Sequence, residues 1–322
     1  MRFLIIQTAF LGDVILATPV VSELKRIFPS AQIDFLVRKG NESVLENNPH
    51  LNQIYVLNKK AGKFKEIKGL SKVFRGNHYD YVINLHRFGS SGIITWLSGA
   101  KKKIGFDKNP FSFSYTKKFK HEIGTGKHEV ERNLELIGEF GAEKLVRPQV
   151  FPSSENYQKI ESLELDNYVC FAPASVWFTK QLPEHKWVEL GNLTSNDTTI
   201  VFVGGPSDVE LCERISKQIS NKKILNLAGK LSILESCALF EKANRCYVND
   251  SGPLHMASAV NAKQTAFFCA TVPNFGFGPL SEDAQILETT ETLDCRPCGL
   301  HGGKVCPKGH FKCGEIDLST VK

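Results

Sequence analysis

Short apolar runs alternate with amphipathic stretches along almost the whole chain. The apolar runs predict strands over Arg2–Gln7, Gln32–Val37, Gln53–Val56, Tyr81–Asn84, the weaker Lys103–Gly105, Tyr168–Ala172, Thr199–Val203, Ile224–Asn226, Arg245–Val248 and Gln264–Phe268. The amphipathic stretches predict helices over Gly12–Phe28, Glu42–Asn47, Ile67–Asn77, Ser90–Ser98, His128–Phe140, Glu184–Asn192, Ser207–Ser220, Ile233–Lys242 and Leu254–Asn261. Strands alternating with helices indicate an α/β protein whose parallel sheets are covered on both faces.

The alternation runs through 322 residues, which is enough for two domains of ordinary size. A stretch from Arg147 to Asn156 contains two prolines and two serines and is the natural linker. We therefore predict two Rossmann-like domains, residues 1–152 and 153–322, with a central cleft between them. Ligands of such sheets bind beyond the carboxyl ends of the strands, so we expect the turns there to carry the chemistry.

The composition is that of a globular protein, with 42% hydrophobic and 23% charged residues. The apolar start of the chain is interrupted by Gln7 and then Asp13, so it fits a buried strand better than a secretory signal. No run reaches the length of a membrane span. We therefore expect a cytoplasmic protein.

The net charge of +6 is concentrated in the first half of the chain. The basic residues are Lys59, Lys60, Lys63, Lys65, Lys68, Lys72 and Arg75, followed by Lys101, Lys102, Lys103, Lys108, Lys117, Lys118 and Lys120. Such runs are most often solvated surface. The functional alternative is an anionic partner, either an acidic glycolipid or a membrane surface. Nucleic acid is a weaker choice because no recognition motif accompanies the lysines.

The segment from Asn249 to Ala257 is the most informative part of the sequence. It follows an apolar strand and opens a helix at Gly252–Pro253, where glycine allows close approach and proline suits a first turn. A helix start of this kind presents free N–H groups to a diphosphate, flanked by Asp250, Ser251 and His255. A capped helix with no ligand is the simpler interpretation of the segment alone.

Two further turns leave predicted strands at the same edges. Asp13 follows the first strand and is either a helix cap or a general base. Lys180 follows the first strand of the second half and can neutralise a diphosphate, with Ser175 and Thr179 as hydroxyl donors. There is no Asp-x-Asp pair, so the neutralising charge should come from Lys180 and the helix start, and no catalytic metal is expected.

Four cysteines cluster in a Cys-rich tail over residues 295–313. Their spacing is Cys295-x2-Cys298-x7-Cys306-x6-Cys313. This spacing leaves three alternatives open: a structural zinc ion, reduced structural thiols, or disulfides.

Taken together and in order, these motifs resemble glycosyltransferase family 9, the heptosyltransferases of lipopolysaccharide core synthesis, which have the GT-B fold. The residues that carry the resemblance are Gly12-Asp13, Asn48-Pro49, Thr179-Lys180, Val203-Gly204-Gly205-Pro206 with Asp208, Asn249-Asp250-Ser251-Gly252-Pro253 with His255, and the tail cysteines with Cys306-Pro307 and His310-Phe311.

The resemblance implies an inverting transfer of heptose from ADP-heptose to a lipid A–Kdo type acceptor, without a required metal. It implies that Asp13 is the catalytic base and that Lys180 binds the donor phosphates. Asp250, Ser251, Gly252 and His255 would bind the rest of the donor. It also implies an enzyme working peripherally at the inner face of the inner membrane.

Two other classes of function share the predicted fold. A GT-B-like sugar-nucleotide epimerase would need acids placed for proton abstraction at the sugar, and Asp13 fits transfer better. A non-catalytic protein that binds nucleotide sugar or lipid A is disfavoured because both Asp13 and Lys180 are retained.

Overall fold

The computed structural model describes residues 1–220 and 223–322 as two compact units. Unit 1 comprises Met1–Ile123 and Lys127–Phe151, and unit 2 comprises Gly124–Gly126 and Pro152–Lys322. Each unit contains one six-stranded sheet in which every pairing is parallel.

The sheet of unit 1 has the strand order β3-β2-β1-β4-β5-β6. Its strands are β1 (Arg2–Ile6), β2 (Gln32–Arg38), β3 (Gln53–Leu57), β4 (Tyr81–Asn84), β5 (Lys102–Phe106) and β6 (Lys117–Phe119). Its helices are α1 (Leu11–Ile15), α2 (Thr18–Ile27), α3 (Lys63–Asn77), α4 (Gly89–Leu97) and α5 (Glu129–Glu135). Short 3₁₀ turns occupy Glu42–Leu45, Lys59–Ala61, Ser112–Ser114 and Gly138–Phe140.

The sheet of unit 2 has the order β12-β11-β10-β7-β8-β9. Its strands are β7 (Tyr168–Ala172), β8 (Thr199–Phe202), β9 (Ile224–Asn226), β10 (Cys246–Asn249), β11 (Gln264–Phe268) and β12 (Ala284–Glu288). Its helices are α6 (Ser154–Glu161), α7 (Glu184–Leu193), α8 (Val209–Ser216), α9 (Ile233–Lys242) and α10 (Gly252–Ala259). The 3₁₀ turns lie at Phe178–Lys180, Pro206–Asp208, Pro273–Phe275 and Lys312–Gly314.

Counted from its own first strand, each sheet has the same 3-2-1-4-5-6 order. In this order the chain proceeds from the first strand towards one edge of the sheet and from the fourth strand towards the other edge. This reversal creates a topological switch point between the first and fourth strands. The switch point lies between β1 and β4 in unit 1 and between β7 and β10 in unit 2. The predicted α/β class with two parallel sheets is confirmed.

The predicted helix over Gly12–Phe28 is wrong as one element, because the chain forms α1 and α2 with a break at Leu16–Ala17. Pro19 lies in the first turn of α2. Proline cannot continue a helix through its interior because it lacks an N–H group and clashes with the preceding turn. The break therefore follows from one residue, and it leaves Asp13 on a short helix of its own.

The prediction of strands and helices missed the two edge strands β6 and β12 and the helix α6. Both strands are partly exposed and carry little continuous apolar signal. Helix α6 begins inside the predicted linker, where the Ser153 hydroxyl accepts a hydrogen bond from the Asn156 N–H and the Asn156 side chain accepts one from Ser153 N–H. This reciprocal capping box marks a helix start within a segment whose prolines and serines suggested a linker.

Both sheets are buried by apolar side chains. In unit 1 the core includes Leu4, Ile6 and Phe74, and in unit 2 it includes Phe171, Trp187 and Phe202. Cys313 of the Cys-rich tail and the following Ile316 and Leu318 belong to the core of unit 2. The end of the Cys-rich tail is therefore packed into unit 2. No helix among the described residues is long and apolar enough to cross a membrane.

Candidate active site

At the switch point of unit 1, the loops that follow β1 and β4 are joined directly. The Thr8 hydroxyl lies 2.8 Å from His86 Nδ1, and both residues are buried. Burial, assisted by the positive charges of Lys59 and Arg87, lowers the pKa of His86 to about 4. His86 is therefore a neutral imidazole at neutral pH and connects the two loops as a hydrogen-bonding group.

Asp13 is the third residue of α1 and its side chain is partly exposed. Its Oδ2 accepts a hydrogen bond from the Phe10 N–H at 3.1 Å. Burial among protein atoms and the negative charge of Glu129 raise the pKa of Asp13 to about 6, against the opposing effects of the Phe10 N–H and Arg87. A carboxylate with a pKa near neutrality is suited to accept a proton in a reaction.

The two charged residues that act on the Asp13 pKa, Glu129 and Arg87, belong to one largely buried chain of charged and polar side chains in unit 1. Arg87 Nη1 lies 3.2 Å from His121 Nδ1, and His121 Nε2 lies 3.1 Å from both carboxylate oxygens of Glu129. Glu129 also accepts from Arg132 Nε at 2.6 Å. Burial raises the pKa of Glu129, but its hydrogen bond with His121 and the charge of Arg132 outweigh burial and hold that pKa below its ordinary value.

At the switch point of unit 2, the last residue of β10 organises the loop that follows β7. Asn249 is fully buried, and its Oδ1 accepts from the Leu182 N–H at 2.9 Å. Its Nδ2 donates to the Pro173 carbonyl at 2.8 Å. One amide side chain therefore fixes both ends of the segment that contains Lys180.

Lys180 and Asp250 form an ion pair, with 2.7 Å between Lys180 Nζ and Asp250 Oδ2. Their side chains are 15% and 5% exposed. The Thr271 hydroxyl donates to the same Asp250 oxygen at 2.6 Å. Lysine has three N–H donors, so Lys180 can bind a further anion while Asp250 holds its ammonium group in place.

Helix α10 begins directly after this ion pair. Ser251 is at its N-cap position, but the hydroxyl donates to the Asn249 carbonyl at 3.3 Å and does not cap the helix. Gly252 and Pro253 form the first turn, and His255 is buried one turn into the helix. The start of α10 therefore presents N–H groups without a side-chain cap, which is an arrangement that favours an anion.

The predicted hydroxyl donors occupy different environments. Thr179 is 1% exposed and its Oγ1 accepts from the Gly303 N–H at 2.8 Å, which favours a structural role. Ser175 is partly exposed, and its Oγ accepts a long 3.4 Å hydrogen bond from Trp177 N–H. A direct contact of either hydroxyl with a ligand stays a prediction.

The Cys-rich tail packs against the segment that carries Lys180, a feature that the sequence analysis missed. The Arg296 guanidinium donates to the carbonyls of Phe268, Cys269 and Thr271 and to the Glu288 carboxylate, at 2.6 to 3.0 Å. A β-carbon built on Gly302 would lie 3.0 Å from Thr179 Oγ1 and 3.1 Å from Lys180 Cγ. The tail thus shapes the surroundings of Lys180.

All nine cysteines of the chain are free thiols in this structure. Cys295 Sγ lies 3.8 Å from His310 Nε2. Burial raises the pKa of the Cys306 thiol, but hydrogen bonds from the backbone N–H groups of residues 308–311 together outweigh burial and hold that pKa below its ordinary value. Within residues 1–220 and 223–322, no three or more His, Cys, Asp or Glu side chains are arranged to hold a metal ion.

Each switch point therefore carries a different kind of group: a carboxylate of raised pKa in unit 1, and an ammonium group beside an open helix start in unit 2. A carboxylate of this kind can accept a proton, and an ammonium group beside an open helix start can bind an anion. The sequence model of glycosyltransferase family 9 (heptosyltransferase) matches residues 67–302. The chain belongs to this family and is a glycosyltransferase.

Individual relatives agree with this assignment. The chain is 31% identical over 277 residues to lipopolysaccharide heptosyltransferase 3 of Escherichia coli, covering 81% of this chain and 82% of the relative. A family 9 glycosyltransferase structure from Veillonella parvula superposes with a TM-score of 0.82 at 22% identity, covering 98% and 96% of the two chains. The structure of E. coli ADP-heptose lps heptosyltransferase II superposes with a TM-score of 0.77 at 20% identity, covering 92% and 96%. The GT-B fold predicted from the sequence is confirmed.

Sequence reasoning selected Asp13, Lys180 and Asp250 because each follows an apolar strand. It missed Arg87, His121, Glu129, Thr271 and Arg296. Arg87 and Thr271 had a comparable signal, since each lies three residues after a predicted strand, Tyr81–Asn84 or Gln264–Phe268. His121, Glu129 and Arg296 reach the site through contacts that link segments distant in the sequence.

Proposed function

We propose that this enzyme transfers heptose from ADP-heptose to the Kdo/heptose inner core of lipopolysaccharide, with inversion at the anomeric carbon. The observation that carries the proposal is the carboxylate of Asp13, with its pKa raised to about 6, at the switch point of unit 1. The names of the relatives support the donor and the acceptor class.

In this mechanism Asp13 accepts the proton of the attacking acceptor hydroxyl. The hydroxyl oxygen forms a bond to the anomeric carbon of the heptose, and the bond from that carbon to the diphosphate oxygen breaks. ADP leaves with the electron pair of the broken bond. Attack from the face opposite the diphosphate inverts the anomeric configuration.

The donor diphosphate is assigned to the switch point of unit 2. Lys180 supplies a positive charge, held by Asp250, and the start of α10 supplies N–H groups at Ser251 and Gly252. His255 in the second turn of α10 is assigned to the remainder of the donor. These groups stabilise the charge that develops on the leaving diphosphate. Lys180 and the helix start thus perform the neutralisation for which other transferases use a divalent metal.

The acceptor and the membrane are assigned to unit 1, which has a basic surface. On α3 and the turn before it, Lys60, Lys63, Lys65 and Lys68 are exposed, and the Phe64 side chain between them is 79% exposed. Lysines interleaved with an exposed aromatic residue suit an anionic, partly apolar surface. We therefore place the enzyme in the cytoplasm, peripheral to the inner face of the inner membrane.

We also retain a structural zinc ion held by Cys295, Cys298, Cys306 and Cys313 as a proposal. The N–H groups around the Cys306 sulfur and the proximity of Cys295 to His310 support it, although the thiols would have to converge further to hold an ion. Metal analysis of protein purified without chelator tests it, with Cys298→Ser as the matched control. Zinc near one equivalent that disappears in the variant supports the proposal, and equally low zinc in both proteins refutes it.

The activity is tested with ADP-heptose, EDTA and a panel of acceptors: Kdo2-lipid A and its mono- and diheptosylated forms. Mass spectrometry should show a gain of one heptose on one member of the panel. That result also separates transfer from epimerisation, because an epimerase changes ADP-heptose without an acceptor. Absence of any heptosylated product across the panel would overturn the proposal.

A further inference from the structure

The mechanism above assigns no substrate contact to the chain Arg87–His121–Glu129–Arg132, of which the last three residues are buried. His121 is 0% exposed, Glu129 4% and Arg132 2%. Removing charged groups from water is costly, and apolar residues of similar size often stabilise a fold as well or better. A chain of such groups that ends beside the catalytic base therefore requires a functional explanation.

The hydrogen bonds of this chain determine the tautomer of His121. An ionised carboxylate only accepts hydrogen bonds, so the Nε2 that contacts Glu129 must carry the proton. Nδ1 then presents its lone pair to Arg87 Nη1, which only donates. The ring is also held by an edge contact with Phe106, at 4.7 Å between ring centroids. Glu129 and His121 together fix the position of the Arg87 guanidinium.

The guanidinium so fixed is close enough to Asp13 for its positive charge to lower the pKa of that carboxyl. Arg87 follows His86, whose ring is joined to Thr8 in the loop that leads into α1. On the other side, α5 carries Glu129 and is tied to the end of α1 by a hydrogen bond from Asn133 Nδ2 to the Leu16 carbonyl at 3.1 Å. Asp13 and Arg87 therefore belong to one cross-linked assembly at the switch point of unit 1.

Arg87 retains donors that the chain does not use. Its side chain is partly exposed, and His121 accepts from Nη1 alone. A guanidinium group carries five N–H donors in a planar fork that matches the paired oxygens of a carboxylate or a phosphate. Because His121 holds the Arg87 guanidinium in place, its remaining N–H groups are oriented to bind an anion.

We propose that Arg87 binds an anionic group of the acceptor, a carboxylate or a phosphate, and that His121 and Glu129 are positioning residues for this contact. The proposal rests on the proposed function, since it places the acceptor at Asp13. Binding an acidic group here would orient the attacking hydroxyl towards the base. Arg87 would thereby select acidic acceptors over neutral ones of the same shape.

The test compares the wild type with Arg87→Gln and Arg87→Lys on three forms of the acceptor that the wild type uses: unmodified, dephosphorylated, and methyl-esterified at the Kdo carboxylates. Arg87→Gln should raise KM for the unmodified acceptor about 10- to 100-fold, as expected for a lost charge-assisted hydrogen bond, with a smaller change in kcat. Arg87→Lys should recover part of this loss. The KM for ADP-heptose should not change.

The modified acceptors identify the source of the anion. The KM of the wild type should rise for the form of the acceptor that lacks the group bound by Arg87. On that form, Arg87→Gln should have the same KM as the wild type. His121→Gln should give the same pattern with a smaller amplitude. Lys144→Gln, which removes an exposed charge of unit 1 outside the basic surface on α3, controls for a general loss of positive charge.

Two results would overturn the inference: an equal rise in the KM of Arg87→Gln on all three acceptors, or an unchanged KM of this variant for the unmodified acceptor. Turnover by the wild type would still support the proposed function. Wild-type protein without transferase activity would instead refute the proposed function itself. Thermal unfolding of each variant separates a lost contact from a failure to fold.

Discussion

The switch points of the two units have the same strand topology but opposite chemistry. In unit 1 the partly exposed carboxylate of Asp13 has its pKa raised to about 6 by burial and by the charge of Glu129, against the opposing charge of Arg87. In unit 2 the carboxylate of Asp250 is buried in an ion pair with Lys180 and receives a hydrogen bond from Thr271. In the proposed mechanism, an acid at a strand end therefore acts as a base or as a positioning group according to its neighbours.

The largest effect is expected at Asp13. Asp13→Asn should lower kcat about 10²- to 10⁴-fold, the usual contribution of a general base, in the heptose transfer assay. Because the pKa is raised from 3.8 to about 6 in the folded protein, ionisation of Asp13 lowers stability as the pH rises from about 4 to about 6, so at neutral pH the same variant should unfold at equal or higher temperature. Asp107→Asn, on an exposed loop of unit 1, should change neither property. Wild-type kcat in Asp13→Asn would remove Asp13 from the base role.

The next largest effect is expected at the ion pair of unit 2. Lys180→Met should weaken ADP binding about 10- to 100-fold in calorimetry because a charged donor to the diphosphate is lost. It should also lower the free energy of unfolding by about 2–4 kcal/mol because Asp250 is left buried without its partner.

The double variant Lys180→Met/Asp250→Asn sharpens this interpretation. It should regain much of the lost stability, since no unpaired charge remains, but should not regain affinity for ADP. Recovery of ADP binding together with stability would show that Lys180 acts only through the fold.

The pH dependence of kcat/KM should report the ionisation of Asp13. Asp13 must be ionised to accept a proton, so activity is present above its pKa and should fall as the pH drops through about 6. His86, with a pKa of about 4, should contribute nothing above pH 5. A profile that stays flat down to pH 5 would contradict the assignment of Asp13.

The smallest effect is expected from the tail that packs against Lys180. Gly302 has φ +74° and Gly299 has φ +83°, but only Gly302 has neighbours that a β-carbon would crowd. Alanine at either position should cost roughly 1 kcal/mol of stability through backbone strain. Only Gly302→Ala should also weaken ADP binding, by a few-fold in calorimetry. Equal ADP affinities in the two variants would show that the tail does not shape the site.

The sequence predicts the central strands and three key residues because these depend on local pattern. A buried parallel strand is a continuous apolar run, and the residues that follow it lie at the ligand-binding edge. This logic finds Asp13, Lys180 and Asp250. It fails for the partly exposed edge strands β6 and β12, which have no such run.

The supporting residues of the site could not be predicted in the same way. His121 and Glu129 contact each other within one segment, but their connection to Arg87 spans 34 residues of sequence, and that of Asn249 to Pro173 spans 76. Arg296 is an unremarkable basic residue in sequence, yet its guanidinium binds three carbonyls and a carboxylate. Such roles arise only when the folded chain brings distant groups together.

The most direct test of the central claim is a calorimetric titration of ADP into Asp13→Asn beside the wild type and Lys180→Met. If unit 1 provides the base and unit 2 the diphosphate site, Asp13→Asn should bind ADP with wild-type affinity while having lost turnover, and Lys180→Met should bind ADP weakly. A loss of ADP affinity in Asp13→Asn as large as that in Lys180→Met would contradict this division of labour.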